Sequence, residues 1–88
     1  MKAQAGMGTI LCGRTAVEVA YDLVQCPTTS RNAAEGQVFG DADALREAYL
    51  SGACSLRLEG GRMARIVMLD CHYSGAADIA VRGEFAWD

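Results

Sequence analysis

The stretch RIVMLDCHY, Arg65 to Tyr73, restricts the folds open to this chain more than any other. Its β-branched and aromatic make-up is that of a strand, yet apolar residues occupy both of its alternating faces. Ile66 and Met68 share one parity; Val67, Leu69, Cys71 and Tyr73 share the other. Successive strand side chains point to opposite faces, so both sides of this strand must be dried. One side can be the core of a small sheet. The other needs a helix or a second subunit.

The flanking segments predict a three-stranded antiparallel meander. ACSLRLE, 53–59, alternates Cys54, Leu56 and Leu58 with Ser55, Arg57 and Glu59, and Gly60-Gly61 is a hairpin signal. A three-residue Gly60-Gly61-Arg62 loop would set Leu56 against Ile66 and Cys54 against Met68. A tight turn at Ser74-Gly75 would return the chain as AADIAVRGEFAW, 76–87, with Val81 facing Met68 and Ile79 facing Asp70. Both hairpins then turn Ala64, Ile66 and Met68 inward. A slip of one residue would invert every side chain, so this agreement of parity carries weight. The outer row Val67, Leu69, Cys71 and Tyr73, with Ala80 opposite Leu69, is the expected interface, and a homodimer is the expected partner arrangement.

Upstream, residues 1–6 read as a loose start and MGTILC, 7–12, as a short first strand. TAVEVAYDLVQ, 15–25, alternates Val17, Val19, Tyr21 and Leu23 with Glu18, Ala20 and Asp22, the pattern of a half-buried antiparallel strand ended by Pro27. CPTTSRNAAEG, 26–36, reads as a mobile loop and QVFG, 37–40, as a short strand. DADALREAYLSG, 41–52, reads as a helix with Asp41 as N-cap, Leu45, Ala48 and Tyr49 as the buried stripe, and Gly52 just past the end. The expected fold is therefore α+β and β-rich. It is a curved antiparallel sheet or small, partly open barrel of about five to six strands, with one short helix between strands and a C-terminal meander. The 88 residues are expected to form a single domain, 1–88.

Composition narrows the function classes. The net charge of −3 lacks the clustered Lys and Arg that nucleic-acid binding needs. No apolar run exceeds the four residues Ile66–Leu69, so no membrane span is expected. The N-terminus MKAQAGMGTILC has no apolar h-region, which makes the cytoplasm the default compartment and free thiols the expectation for Cys12, Cys26, Cys54 and Cys71. Those cysteines have no C-x-x-C spacing and His72 is the lone histidine, so no zinc site and no cofactor are expected.

Cys71 and His72 are strand neighbours whose side chains diverge, so they form no nucleophile–base pair. Asp70 and His72 share a face and would meet at the mouth of the barrel, the one arrangement that could serve a small enzyme. Asp41 and Asp43 are explained by helix capping and the helix dipole. Arg57 and Arg65 would stand opposite each other on the outer face, with Glu84 across from Arg65. Facing arginines repel unless an anion or carboxylate lies between them, which marks them as a candidate site for a small anionic ligand. The chain lacks the close Arg pair before the barrel and the Asp/Asn-x-Ser strand motif of the cyclic-dinucleotide-binding PilZ barrels, and no family is assigned. The expected function is a small cytoplasmic binding or interaction module that self-associates, with no catalytic residues. An anion or nucleotide sensor using Arg57 and Arg65 is the alternative, and an enzyme using Asp70 and His72 is the third.

Overall fold

The computed structural model describes every residue except Ala86 and Asp88. Among the described residues six strands and one helix follow in the order β1 (Ala3–Cys12), β2 (Thr15–Gln25), β3 (Asn32–Phe39), α1 (Ala42–Ser51), β4 (Cys54–Arg57), β5 (Met63–His72) and β6 (Ala76–Arg82). All neighbours are antiparallel and the sheet closes as β1-β2-β3-β6-β5-β4, with β4 returning to β1. The expected β-rich α+β fold is present, and the barrel is closed rather than partly open.

Small residues let so narrow a barrel close. Tyr21 points inward from β2, where its hydroxyl accepts a hydrogen bond from the Glu59 amide at 3.2 Å. Its ring lies where a Cβ on Gly6 or Gly8 of β1 would be: that atom would sit 2.7 Å from Tyr21 Oη at Gly6, and 2.3 Å from the Arg57 carbonyl oxygen at Gly8. Glycine on the inner face of β1 thus admits the one large polar-tipped ring and lets β4 approach. The remaining interior is filled by aliphatic side chains, among them Ile10, Leu23, Leu56, Ile66 and Ile79, all buried. A six-stranded barrel has room for side chains and no channel.

The helix lies across the barrel end that carries the β1–β2 and β5–β6 turns, packing on β1, β2, β5 and β6. Asp41 caps it, its carboxylate accepting from the Ala44 amide at 3.0 Å, and Gly52 follows with φ of 97°. Leu45 and Ala48 are buried as expected, whereas Tyr49 is exposed at the rim. Ten residues turned end-on present a stripe too narrow to bury a third large side chain.

Several sequence expectations are corrected. β1 begins at Ala3, so residues 3–6 are paired with β2 instead of forming a loose start. β3 begins at Asn32, which takes 32–36 out of the expected loop and leaves 26–31 as the connection. That segment is turn-rich in composition, but pairing to β2 and β6 on both sides overrides the propensity of its Asn and Gly residues. At the other end of the chain, β6 stops at Arg82 rather than running to 87, and Ala86 of the expected strand lies outside the described residues.

The meander keeps its parity through errors that cancel. The β4–β5 connection spans Leu58–Arg62 rather than three residues, so Leu56 faces Ala64 and Cys54 faces Ile66, a slip of two. An even slip leaves every side chain on its face. The β5–β6 turn holds Tyr73, Ser74 and Gly75, one residue more than expected, and His72 pairs with Ala76. Alone this would invert the strand. A bulge at Leu69 absorbs the extra residue, so Met68 faces Ile79 and Ile66 faces Val81. Between bulge and turn, however, the faces are exchanged. Cys71 turns inward and packs on the core, while Asp70 and His72 turn outward, the reverse of the expectation for all three. Tyr73 leaves the strand for the turn, where the Arg46 guanidinium sits 4.5 Å from its ring centre.

Cys12 and Cys54 are not free thiols but paired as a disulfide across the β1–β4 seam, with 4.6 Å between their Cα atoms. Ile10 pairs with Leu56, so the same register brings Cys12 opposite Cys54. Both sulfurs lie beneath the helix, 3.5 and 3.6 Å from the Ala48 carbonyl oxygen; these are contacts, since a bridged sulfur carries no hydrogen to donate. Closing a loop of this length stabilises by about 4 kcal/mol in the chain-entropy account. Cys26 and Cys71 are free. Among the described residues no helix is long and apolar enough to cross a membrane.

Candidate functional site

With the helix turned onto the barrel end, the outer face of β5 and β6 stays uncovered by this chain. Its side chains fall into three zones. At one end Arg65 stands directly opposite Arg82, with Asn32 of β3 on the far side of Arg82. In the middle Val67 pairs with Ala80, and Leu69 stands out at the bulge. At the other end Asp70 stands directly opposite Asp78, with His72 beyond. Each expected site residue can be placed on this map. Arg57 lies opposite Met63 and Arg65 opposite Ser55 on β4, so the facing Arg57–Arg65 pair does not form. The two-residue slip of the β4–β5 loop moves them to diagonal positions. Arg82, not Glu84, is the residue across from Arg65, and Val67, not Leu69, is the residue across from Ala80.

The basic zone is unbalanced within the chain. Like charges directly opposite each other on a sheet destabilise it, and among the described residues no ion pair involves Arg65 or Arg82. The Nε of Arg82 and the Oδ1 of Asn32 are buried without a hydrogen-bond partner. Arg57 reaches the Thr9 hydroxyl at 3.5 Å.

The acidic zone is ordered. Gln37 donates to Asp78 Oδ1 at 2.9 Å and the His72 ring lies 3.1 Å from Asp78 Oδ2. The Gln37 hydrogen bond first, and then the His72 bond, hold the Asp78 carboxyl below its ordinary range, so it is ionised across the neutral and mildly acidic range. Asp70 accepts from the Cys71 amide at 2.8 Å. Asp70, His72 and Asp78 each offer one metal-ligating atom, all within 4.8 Å of one another, an oxygen–imidazole set suited to a divalent transition metal. Both Asp78 oxygens and one of Asp70 are already engaged by hydrogen bonds within the sheet, so the cluster is satisfied by the chain itself. Asp78 borders an open depression of about 430 Å³ with Glu35, Gln37 and Leu69, and neither Asp70 nor His72 lines it. Cys71 points to the opposite face from His72, as strand alternation requires.

The middle zone is apolar and wet. Val67 is 36% and Leu69 49% exposed, and the last turn of α1 adds Tyr49 at 40% and Leu50 at 77%. Tyr49, Leu50 and Val67 border one shallow cavity of about 530 Å³. Ala80 is fully buried yet stands apart from the core cluster, forming the floor between its taller outer-face neighbours.

The barrel end opposite the helix holds a second, open depression of about 900 Å³ lined by the 26–33 segment, Arg62, Met63 and the C-terminal Phe85 and Trp87. The two rings pack edge to face at 4.6 Å and lean on the core, as their parity with Ile79 and Val81 suggests. Partial burial, and then the Glu35 carboxylate, push the Cys26 thiol up despite an opposing Ser30 hydrogen bond, so it is no activated nucleophile.

Sequence reasoning missed Arg82, Asp78 and Gln37 as members of this face. Alternation with Ile79 and Val81 does put Asp78 and Arg82 outward, but their cross-strand partners follow only from the register. Comparison with family models, with curated proteins and with solved structures finds no match to this chain.

Proposed function

We propose that this protein is a small, non-catalytic binding module that associates with a second copy of itself through the outer face of β5 and β6. One observation carries the reading: Val67 and Leu69 stand exposed on this face, Val67 bordering one cavity with Leu50, because the helix that could have covered them is used to plug the barrel. A domain of this size buries a modest core, and an apolar strip of this kind gains by being dried in an interface. Light scattering on the purified protein is expected to give twice the chain mass. Leu69→Glu is expected to give a folded monomer, since the side chain makes no core contact. A monomeric wild type, or a variant that stays dimeric, rejects the reading.

The Arg65–Arg82 juxtaposition supports a second reading, an anion sensor. Two guanidinium groups facing each other, with no ion pair to either among the described residues, form an arrangement that a phosphate can bridge. Here inorganic phosphate is expected to raise the melting temperature in proportion to the logarithm of its concentration, and Arg82→Gln to abolish the rise. A melting temperature indifferent to phosphate rejects it.

A further inference from the structure

The three zones of the outer face are arranged with a symmetry that specifies how two copies would meet. Along β6, Arg82 and Asp78 lie at equal distances from Ala80. Along β5, Arg65 and Asp70 flank Val67, the bulge absorbing the odd residue. Val67 and Ala80 are a register pair, so both strands share one midpoint. On β5 and β6 the face is therefore basic at one end, acidic at the other and apolar at its centre, where Glu35 of β3 borders Ala80, with about 13 Å between the charged ends at the usual rise per strand residue.

We infer that two copies pack face to face about a two-fold axis running across β5 and β6 through Val67 and Ala80, so that Arg65 and Arg82 of each protomer lie over the partner's Asp70 and Asp78. This rests on the self-association reading above and adds the orientation and the charge pairing. An isologous interface brings one patch against itself, and two faces can be turned toward each other about an axis across the strands or along them. An axis along the strands sets the basic end over the partner's basic end and the acidic end over its acidic end. The axis across the strands reverses the strand direction and sets every basic group over an acidic one. Like-charge juxtaposition in an interface costs several kcal/mol and opposite charge fixes register, so the second arrangement wins. It also answers a feature that the single chain leaves unexplained: the facing Arg65 and Arg82, which form no ion pair among the described residues, each gain a carboxylate and are neutralised. On the other side, Gln37 and His72 keep the Asp78 carboxylate ionised and oriented before any partner arrives. Each chain carries a net charge of −3, so two copies repel as wholes; local complementarity at the face is what overcomes this.

Charge exchange tests the arrangement. Arg65→Glu with Arg82→Glu makes both ends acidic, and Asp70→Lys with Asp78→Lys makes both ends basic. Each double variant alone is expected to dissociate with a constant raised about a hundredfold or more, and an equimolar mixture is expected to recover a dimer mass by light scattering. Added salt is expected to weaken the wild-type dimer. Circular dichroism checks that each variant is folded; if loss of the Gln37 and His72 bonds unfolds the second one, Asp70→Lys alone replaces it, because Asp70 bonds only its neighbouring amide. If the wild type is dimeric and either variant remains so, or the mixture fails to recover the dimer, the orientation is overturned while self-association stands. A monomeric wild type overturns both.

Discussion

Ile66→Asp is expected to leave the chain without a cooperative unfolding transition. Ile66 is 1% exposed, lies between Cys54 on β4 and Val81 on β6, and belongs to a core in which, among the described residues, no polar or charged residue is buried. A carboxylate there meets no hydrogen-bond donor and no cation. Its ionised form costs far more in that setting than the ~5–15 kcal/mol by which a domain is stable, and its protonated form still loses the packing of a large aliphatic side chain. The check is a thermal melt followed by circular dichroism; a sharp melt close to that of the wild type would show that the interior is not the dry layer described. The contrast with Leu69→Glu, an acid three residues later on the same strand, separates the two faces. One substitution abolishes the fold and the other changes only the mass in solution.

Gly36→Ala comes next in size. On β3 this glycine faces inward opposite Leu23, and a Cβ added to it would lie 1.8 Å from the Asp22 carbonyl oxygen and 2.8 Å from the carbonyl carbon. Those are backbone atoms of a paired strand, which cannot rotate aside as a side-chain tip can. Alanine would ordinarily gain stability over glycine by lowering the entropy of the unfolded chain. Here the overlap decides the sign, because relief requires β2 and β3 to separate along their ladder. The expected loss is about 3 kcal/mol or more, a fall in melting temperature of roughly 12 °C or greater for a domain of this size. An unchanged melting temperature would mean that the strands do not approach as closely as the structure has them.

The alternation of TAVEVAYDLVQ specifies β2 with its inward Val17, Val19, Tyr21 and Leu23, and DADALREAYLSG specifies α1 with its Asp41 cap and Gly52 stop. The inward parity of Ala64, Ile66 and Met68 was also legible, since burial constrains it at every residue. Which residues meet across the strands was not legible. Hairpin loops of three and five residues are both compatible with Gly60-Gly61, whose left-handed φ values of 94° and 95° suit either. That choice separates Arg57 from Arg65. A bulge has no sequence signature at Leu69, because it arises from the mismatch between a three-residue turn and a core that demands fixed parity. It is this mismatch that turns Asp70 and His72 outward, turns Cys71 inward and sets Asp70 against Asp78. The candidate site was thus half readable. Its apolar centre, Val67 and Leu69, followed from the pattern, while its charged ends did not.

The spacing of the cysteines carried the same limit. Nothing in a separation of 42 residues announces that Cys12 and Cys54 will meet; barrel closure between the first strand and the fourth brings them together. What the amino-acid order alone determined is local: the alternation, the cap, the positions where the chain can turn, and which side chains must be dry. What tertiary structure decided is long-range: the register, the bulge, the closing seam and the use of the helix as a plug. The reason is that side-chain parity is a property of one strand and is enforced by burial residue by residue, whereas a cross-strand partner depends on loop lengths and on closure of the whole sheet, and several registers satisfy the same parity.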